Sequence, residues 1–145
     1  MDIRDITPTY SVTPQIEPAD LPEIAAAGFT TVICNRPDDE NPVELHAEYI
    51  RIATEAAGLK FVLNPLTHGN LTMDIIDLQA KTLNESDGRV LGYCASGNRC
   101  TVLWSFAKAG ELPCDDIIAA GESAGYQTAG LRPQIDQIAQ MRDAQ

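Results

Sequence analysis

The sequence predicts a single α/β domain of three layers, residues 1–145, in which helices cover both faces of a mostly parallel sheet. The chain has 145 residues, of which 44% are hydrophobic, enough for one core and too few for two ordinary domains. Short apolar runs alternate along it with amphipathic segments, several of which end at a glycine. Strands and helices that alternate in this way are typical of a parallel sheet covered on both faces.

The first half of the chain contains three predicted strands and two predicted helices. The strands are short runs rich in apolar and β-branched residues, at 10–13, 29–34 and 59–63. The helices, each ended by a glycine, cover residues 18–27 and 43–57. The second helix is predicted from apolar residues that recur at spacings of four, three and four, namely Leu45, Tyr49, Ile52 and Ala56.

The second half contains one predicted strand and four predicted helices. The strand covers residues 90–93. The first helix begins at Thr72, whose hydroxyl is a plausible N-cap, and extends to about residue 83. The other three helices cover residues 101–108, 114–124 and 133–141. In the helix at 101–108 we expect Trp104 and Phe106 to pack in the core.

Charge and composition limit the classes of partner and cofactor. The net charge of −11 disfavours nucleic acid and anionic membranes, so an anionic substrate needs a local electropositive pocket. No stretch approaches the roughly 18 apolar residues of a membrane span, and residues 1–5 lack the pattern of a signal peptide. We therefore expect a cytoplasmic protein. Its four cysteines include no Cys-x-x-Cys pair and it has two histidines, so we expect free thiols, no zinc site and no cofactor.

The loop at residues 94–99 carries the strongest chemical signal. In a parallel sheet, ligands bind where the carboxyl ends of strands meet the following loops, here after Cys34, Leu63 and Tyr93. The loop after Tyr93 begins with Cys94, contains Gly97 and Arg99, and leads into an apolar helix. Loop amides, a helix N-terminus and a guanidinium all stabilise a thiolate, which makes a nucleophile at neutral pH. The competing interpretation is a buried core thiol beside a surface arginine.

A second motif, Gly121-Glu-Ser123-Ala-Gly125, has the spacing of the nucleophile elbow of serine hydrolases. That elbow requires a strand before the serine, whereas residues 115–120 are predicted to be helical and Gly125 to end the helix. No Asp and His with evident roles follow it. We therefore interpret this pentapeptide as a helix end.

Four separated segments in one order resemble a known family. They are residues 29–38, 64–65, 93–99, and 125–126 with 130–133. On these segments the chain resembles the bacterial phosphatase-like domain of beta-lactamase hydrolase-like proteins (DUF442), a family that also bears the name of a sulfur transferase. The resemblance spans nearly the whole chain and implies a fold similar to dual-specificity and tyrosine phosphatases.

The resemblance implies roles for individual residues. Cys94 matches the family nucleophile and Arg99 its anion-binding arginine. The residues between them match the loop that surrounds the anion: Ala95, Ser96, Gly97 and Asn98. Arg36 and Asp38 match a family loop that flanks the pocket.

Two departures from the phosphatase relatives bear on the reaction. Their signature places five residues between Cys and Arg, whereas four intervene here, as in the shorter persulfide-binding loops of rhodaneses. Their general-acid Asp follows the Pro at the end of the third strand, where this chain has Pro65-Leu-Thr-His68; His68, Asp74 or Asp38 would have to substitute. Without an acid, loss of an alkoxide or phenoxide is slower by a factor of about 10² to 10⁴.

These departures favour a rhodanese-like sulfurtransferase that carries a persulfide on Cys94, because sulfur transfer needs no acid. Its substrates would be small anions, thiosulfate or a persulfide, with a thiol as acceptor. The first alternative is a phosphatase that cleaves phosphate esters through a phosphocysteine on Cys94. The second is a sensor of anions or persulfides without turnover.

Two further thiols and a histidine lie in or beside the loops that are predicted to form the pocket. Cys100 follows the arginine directly, so it either forms a disulfide with Cys94 or packs in the helix, and packing is preferred. Cys34 ends a strand predicted to neighbour that of Cys94 and is a second possible disulfide partner. His68 either contacts the substrate or is an exposed loop residue.

Overall fold

A mixed five-stranded sheet forms the centre of the molecule. The computed structural model describes residues 1–67 and 69–144. The strands are β1 (Arg4–Thr7), β2 (Tyr10–Thr13), β3 (Phe29–Cys34), β4 (Lys60–Leu63) and β5 (Arg89–Tyr93), in the spatial order β1-β2-β5-β3-β4. Only β1, at one edge, runs antiparallel to its neighbour; the other pairs are parallel. This confirms the predicted α/β fold with a mostly parallel sheet.

Within the described residues, six α-helices connect and cover the strands. They are α1 (Leu21–Ala26), α2 (Ala47–Ala56), α3 (Met73–Glu85), α4 (Asn98–Ala107), α5 (Cys114–Ser123) and α6 (Arg132–Asp143). The helices predicted at 18–27 and 43–57 begin instead with 3-10 turns, Pro18–Asp20 and Val43–Leu45. Thr72 caps α3 as predicted, since its hydroxyl accepts a hydrogen bond from the Ile75 N–H at 3.4 Å. No helix among the described residues is both long and apolar enough to cross a bilayer.

The helices form two layers, and each layer packs against the sheet through its own hydrophobic core. One core joins the sheet to α1 and α2 through Leu21, Ile24 and Ile50. The other joins it to α3, α4, α5 and α6, and Trp104 and Phe106 lie within it, each 1% exposed as expected for core residues. The three-layer arrangement predicted from the sequence follows from these two cores.

Helix α2 does not bury the residues whose spacing predicted it. Tyr49 and Ile52 are half exposed, while Ala47, Ile50 and Thr54 are buried. The α-helix begins only at Ala47, after an extended residue, so the earlier 3-10 turn is not in phase with it.

The register of the sheet aligns the carboxyl ends of four parallel strands. Tyr93 pairs with Thr13 on one side and with Cys34 on the other, and Cys34 pairs with Leu63. The loops that follow these strands therefore open at one edge of the sheet. Three of them were predicted to form the site, and the loop after Thr13 is the fourth.

A buried cluster of amide side chains ties two of these loops to α3. The Asn35 side chain donates to the Asn64 carbonyl at 2.8 Å and to Gln79 Oε1 at 3.0 Å. Asn64 Nδ2 donates to the same Gln79 oxygen at 2.9 Å. Because buried amides without partners are costly, these bonds fix the loops after β3 and β4 relative to each other.

Candidate active site

The 94–99 loop turns sharply between β5 and α4. Gly97 has φ +91°, a left-handed conformation that residues with a side chain rarely adopt, and α4 begins at the next residue. The Thr101 hydroxyl donates to the Gly97 carbonyl at 2.9 Å and holds this turn against the first turn of α4. The loop therefore presents its backbone N–H groups together with the N-terminus of a helix, as predicted.

The thiol of Cys94 lies at the centre of this loop and is fully buried. The Gly97 N–H donates to its Sγ at 3.1 Å. The hydrogen bond from the Cys100 thiol contributes most to lowering the pKa of Cys94 to about 5, with the N–H groups of Cys100, Ser96 and Gly97 adding to it. These donors outweigh burial, which alone raises the pKa of a thiol. Cys94 is therefore a thiolate at neutral pH.

None of the four cysteines forms a disulfide, and the other three differ from Cys94 in protonation or position. Burial raises the pKa of Cys100 well above its ordinary value, so it stays a neutral donor beside the Cys94 thiolate. Cys34 packs in the opposite core, where burial raises its pKa and its thiol donates to the Arg36 carbonyl at 3.2 Å. The sheet therefore separates Cys34 from Cys94, while Cys100 is both packed in α4 and in contact with the Cys94 sulfur.

Arg99 lies between the thiolate and a carboxylate that the sequence did not indicate. Its Nη1 and Nη2 atoms donate to the two oxygens of Glu40 at 2.9 and 2.7 Å, and Nη1 also donates to the Leu66 carbonyl at 3.0 Å. Glu40 and, more weakly, Cys94 raise the pKa of Arg99, while Arg99 lowers the pKa of Glu40. The guanidinium is thus fixed beside Cys94 with its positive charge retained.

Arg36 supports Glu40 from the other side. Its Nε donates to Glu40 Oε1 at 3.2 Å and its Nη2 to the Glu40 carbonyl at 3.2 Å. A third bond runs from Nη1 to Gln15 Oε1 at 3.3 Å. Arg36 flanks the site, as the family resemblance implies, through its contact with the carboxylate that holds Arg99.

Neither of the two described carboxylates considered as a general acid lines the cavity beside Arg99. Asp38 accepts the Ala47 N–H at 2.7 Å and so caps α2. Asp74 is exposed in the first turn of α3. His68 lies outside the described residues. The cavity has a volume of about 480 Å³ and is lined by Glu40, Leu66, Thr67, Gly69, Leu71 and Arg99.

The rest of the loop forms an exposed rim around the buried thiol. Ala95, Ser96 and Asn98 are exposed, and the Asn98 N–H donates to Ser96 Oγ at 3.3 Å. The Tyr126 hydroxyl donates to the Ser96 carbonyl at 3.0 Å. Tyr126 belongs to one of the segments that carried the family resemblance, but no local pattern indicates that it contacts this loop.

A mostly parallel sheet with a cysteine thiolate and an arginine in one loop defines a phosphatase-like domain of the cysteine-dependent type. The chain belongs to the family described as the beta-lactamase hydrolase-like protein, phosphatase-like domain, whose sequence model matches residues 2–111. This confirms the resemblance found in the sequence.

Individual relatives agree with the family. A beta-lactamase hydrolase-like protein of Agrobacterium fabrum is 29% identical over 74% of this chain, and the match covers 26% of that protein. The chain thus spans about a quarter of this curated relative. The crystal structure of a candidate phosphatase from Neisseria meningitidis Z2491 is 31% identical, with a TM-score of 0.80 over 95% of this chain and 99% of that one.

A more distant structure shows the fold alone. The human tyrosine phosphatase-like serine/threonine/tyrosine-interacting protein is 15% identical and covers 97% of each chain with a TM-score of 0.70. The comparisons support the phosphatase alternative. They give no support to the sulfurtransferase preferred from the sequence, because the shorter loop lies within a complete phosphatase-like fold.

Proposed function

We propose that this domain is a cysteine-dependent phosphatase that hydrolyses phosphate monoesters. The observation that carries the proposal is the buried Cys94 thiolate, with a pKa of about 5, beside a fixed guanidinium at the start of α4. A thiolate in an anion-binding loop is both a nucleophile and a group placed to reach a bound phosphoryl group.

The reaction proceeds in two steps. Cys94 Sγ attacks phosphorus, so an S–P bond forms while the bond from phosphorus to the ester oxygen breaks; the ester oxygen leaves as an alkoxide or phenoxide, which takes its proton from water. Water then attacks the phosphocysteine, inorganic phosphate leaves, and the thiolate is restored. Arg99 and the loop N–H groups bind the phosphoryl oxygens in both steps and stabilise the charge that develops on them.

The leaving group receives little help from the described residues. Glu40 is the carboxylate among those that line the cavity, and the adjacent Arg99 and Arg36 lower its pKa, so it is ionised at neutral pH. An ionised carboxylate has no proton to donate. We therefore expect activated esters such as para-nitrophenyl phosphate to be cleaved far faster than phosphotyrosine, because nitrophenolate leaves without a proton.

The experiment combines turnover with trapping of the intermediate. Wild-type protein is assayed on para-nitrophenyl phosphate and on phosphotyrosine, and acid-quenched samples are analysed by mass spectrometry for phosphate on Cys94. We expect the phosphocysteine adduct in wild-type protein and in Cys114→Ser, the control cysteine at the start of α5. Cys94→Ser loses both the adduct and turnover.

A parallel sample is incubated with thiosulfate. Addition of one sulfur atom to Cys94 and its discharge to a thiol, without hydrolysis of either ester, contradicts the proposal and restores the sulfurtransferase. Efficient hydrolysis of phosphotyrosine that is lost in His68→Ala or Asp74→Ala shows that one of these residues is the general acid.

A further inference from the structure

One peptide group of the loop makes hydrogen bonds at both ends. Its carbonyl, from Ser96, accepts from the Tyr126 hydroxyl at 3.0 Å. Its N–H, from Gly97, donates to Cys94 Sγ at 3.1 Å. Because a trans peptide is planar and its C=O and N–H point in opposite directions, fixing the carbonyl also fixes where the N–H points.

Contacts outside the loop determine the position of Tyr126. It follows Gly125, which has φ +98° and ends α5, and its own N–H donates to the Gly121 carbonyl at 3.0 Å. Arg4 of β1 donates to the Ala124 carbonyl at 3.1 Å, and its guanidinium carbon lies 5.5 Å from the centroid of the Tyr126 ring. The hydroxyl of Tyr126 therefore approaches the loop from a turn that β1 holds in place.

Tyr126 also packs directly against the backbone that it orients. A Cβ built on Gly97 would overlap the Tyr126 hydroxyl, so glycine lets the hydroxyl reach the peptide. The Tyr126 side chain is 9% exposed, so water has little access to replace its hydrogen bond. Donation to a carbonyl polarises the peptide and strengthens the N–H at its other end as a donor.

We propose that Tyr126 is a positioning residue, whose hydroxyl orients the Ser96–Gly97 peptide so that the Gly97 N–H faces the Cys94 sulfur and the anion bound beside it. The effect on the sulfur follows from the geometry alone. The effect on turnover rests on the proposed phosphatase function. Tyr126 lies beyond residues 2–111, so the segment after the matched family residues supplies part of the site.

Other groups also act on the Cys94 thiolate, and the test must leave them unchanged. Those that face it directly or through one neighbour come from several elements of the fold: Cys100 and Arg99 of α4, Tyr10 of β2, Glu40 beyond Arg99, and Arg4 beyond Tyr126. Cys34 of β3 acts on it only weakly, from the other face of the sheet. Tyr126→Phe removes one hydroxyl and retains the ring that Arg4 contacts. A change in Cys94 can then be assigned to the lost hydrogen bond.

The test measures alkylation of Cys94 by iodoacetamide as a function of pH, with the Cys94 peptide quantified by mass spectrometry. In Tyr126→Phe we expect the midpoint to rise by about half a pH unit, less than the loss of a whole hydrogen bond to the sulfur, because the Gly97 N–H stays in the loop and loses only its orientation. Inorganic phosphate should protect Cys94 from alkylation, and half-protection should need about threefold to tenfold more phosphate than in wild-type protein. Tyr49→Phe, at a half-exposed tyrosine of α2, is the matched control and should leave both values unchanged.

The melting temperature is recorded for each variant. A lower melting temperature in Tyr126→Phe with an unchanged alkylation midpoint overturns the proposal, because Tyr126 then only packs. A raised midpoint supports it even if no variant hydrolyses a phosphate ester, since alkylation does not depend on turnover. If Tyr126→Phe does not fold, Arg4→Lys is the second variant, because lysine keeps the positive charge beside Tyr126 while it weakens the hold on the turn. It should raise the midpoint in the same direction, and an unchanged midpoint there also overturns the proposal.

Discussion

The low pKa of Cys94 makes the stability of the fold depend on pH, and comparison with Cys94→Ser measures this dependence. Cys94 has a pKa of about 5 when folded, whereas cysteine in an unfolded chain has a pKa of about 8.5. Between these values the folded state holds the thiolate and the unfolded state holds the thiol. The stability from this group is therefore fully present above the unfolded pKa and is lost as the pH falls through the folded pKa.

The size of the effect follows from the difference of one proton. Each pH unit in this window changes the free energy of unfolding by about 1.4 kcal/mol, so a fall from about pH 7 to about pH 5 removes roughly 2 kcal/mol. Cys94→Ser has no thiol to ionise and should lack this component. Other titrating groups are common to both proteins and cancel in the comparison.

The assay is urea unfolding under reducing conditions at a series of pH values up to about 7.5, where the other thiols of the unfolded chain are still mostly protonated. The difference in unfolding free energy between wild-type protein and Cys94→Ser should increase with pH. Cys114→Ser should follow wild-type protein. Parallel curves for wild-type protein and Cys94→Ser would show that Cys94 is protonated in the fold, and would refute the reasoning.

Three further predictions, one of them with a control variant, give distinct outcomes. Arg99→Lys should lower kcat/KM on para-nitrophenyl phosphate by about 100-fold, because an ammonium cannot replace the planar guanidinium; near wild-type turnover would remove Arg99 from the site. Cys100→Ala should raise the alkylation midpoint of Cys94 by about one pH unit, because it removes the strongest donor to the sulfur. Cys34→Ala, on the other face of the sheet, is its control, and equal midpoints in the two variants would contradict the assignment. Ser123→Ala should leave turnover and melting temperature nearly unchanged, since Ser123 is the last residue of α5; loss of turnover in a folded variant would reopen the serine-hydrolase interpretation.

Local sequence patterns predicted those parts of the fold and site that depend on neighbouring residues. Strand β3 lies where its apolar run predicted, and the 94–99 loop was recognised because its cysteine, glycine and arginine are close in sequence. Strand β1 was missed because Ile6 is its single buried residue, so no alternating pattern marks it. Strand β1 forms because it pairs with β2, and its own sequence does not indicate that pairing.

The residues of the site that were missed reach it from distant parts of the chain. Glu40 is separated by 59 positions from Arg99, and Tyr126 by 30 positions from Ser96. No spacing rule connects such positions, because only the packed fold brings them together. The preference for sulfur transfer also came from local comparison: it rested on the length of one loop and on the absence of an acid after Pro65, whereas the fold around that loop is phosphatase-like.

The central position of β5 in the sheet also determines when the Cys94 thiolate forms during folding. Strand β5 lies between β2 and β3, and Tyr10 pairs with Val90, so the strand that leads into Cys94 joins partners from the start of the chain. Contacts between segments that are distant in sequence form slowly, whereas single helices form early. An intermediate that holds helices but not this strand would keep Cys94 as an ordinary thiol. Rapid alkylation of Cys94 at mildly acidic pH would then mark the completion of the central sheet and would follow, in refolding experiments, after the gain of helical signal.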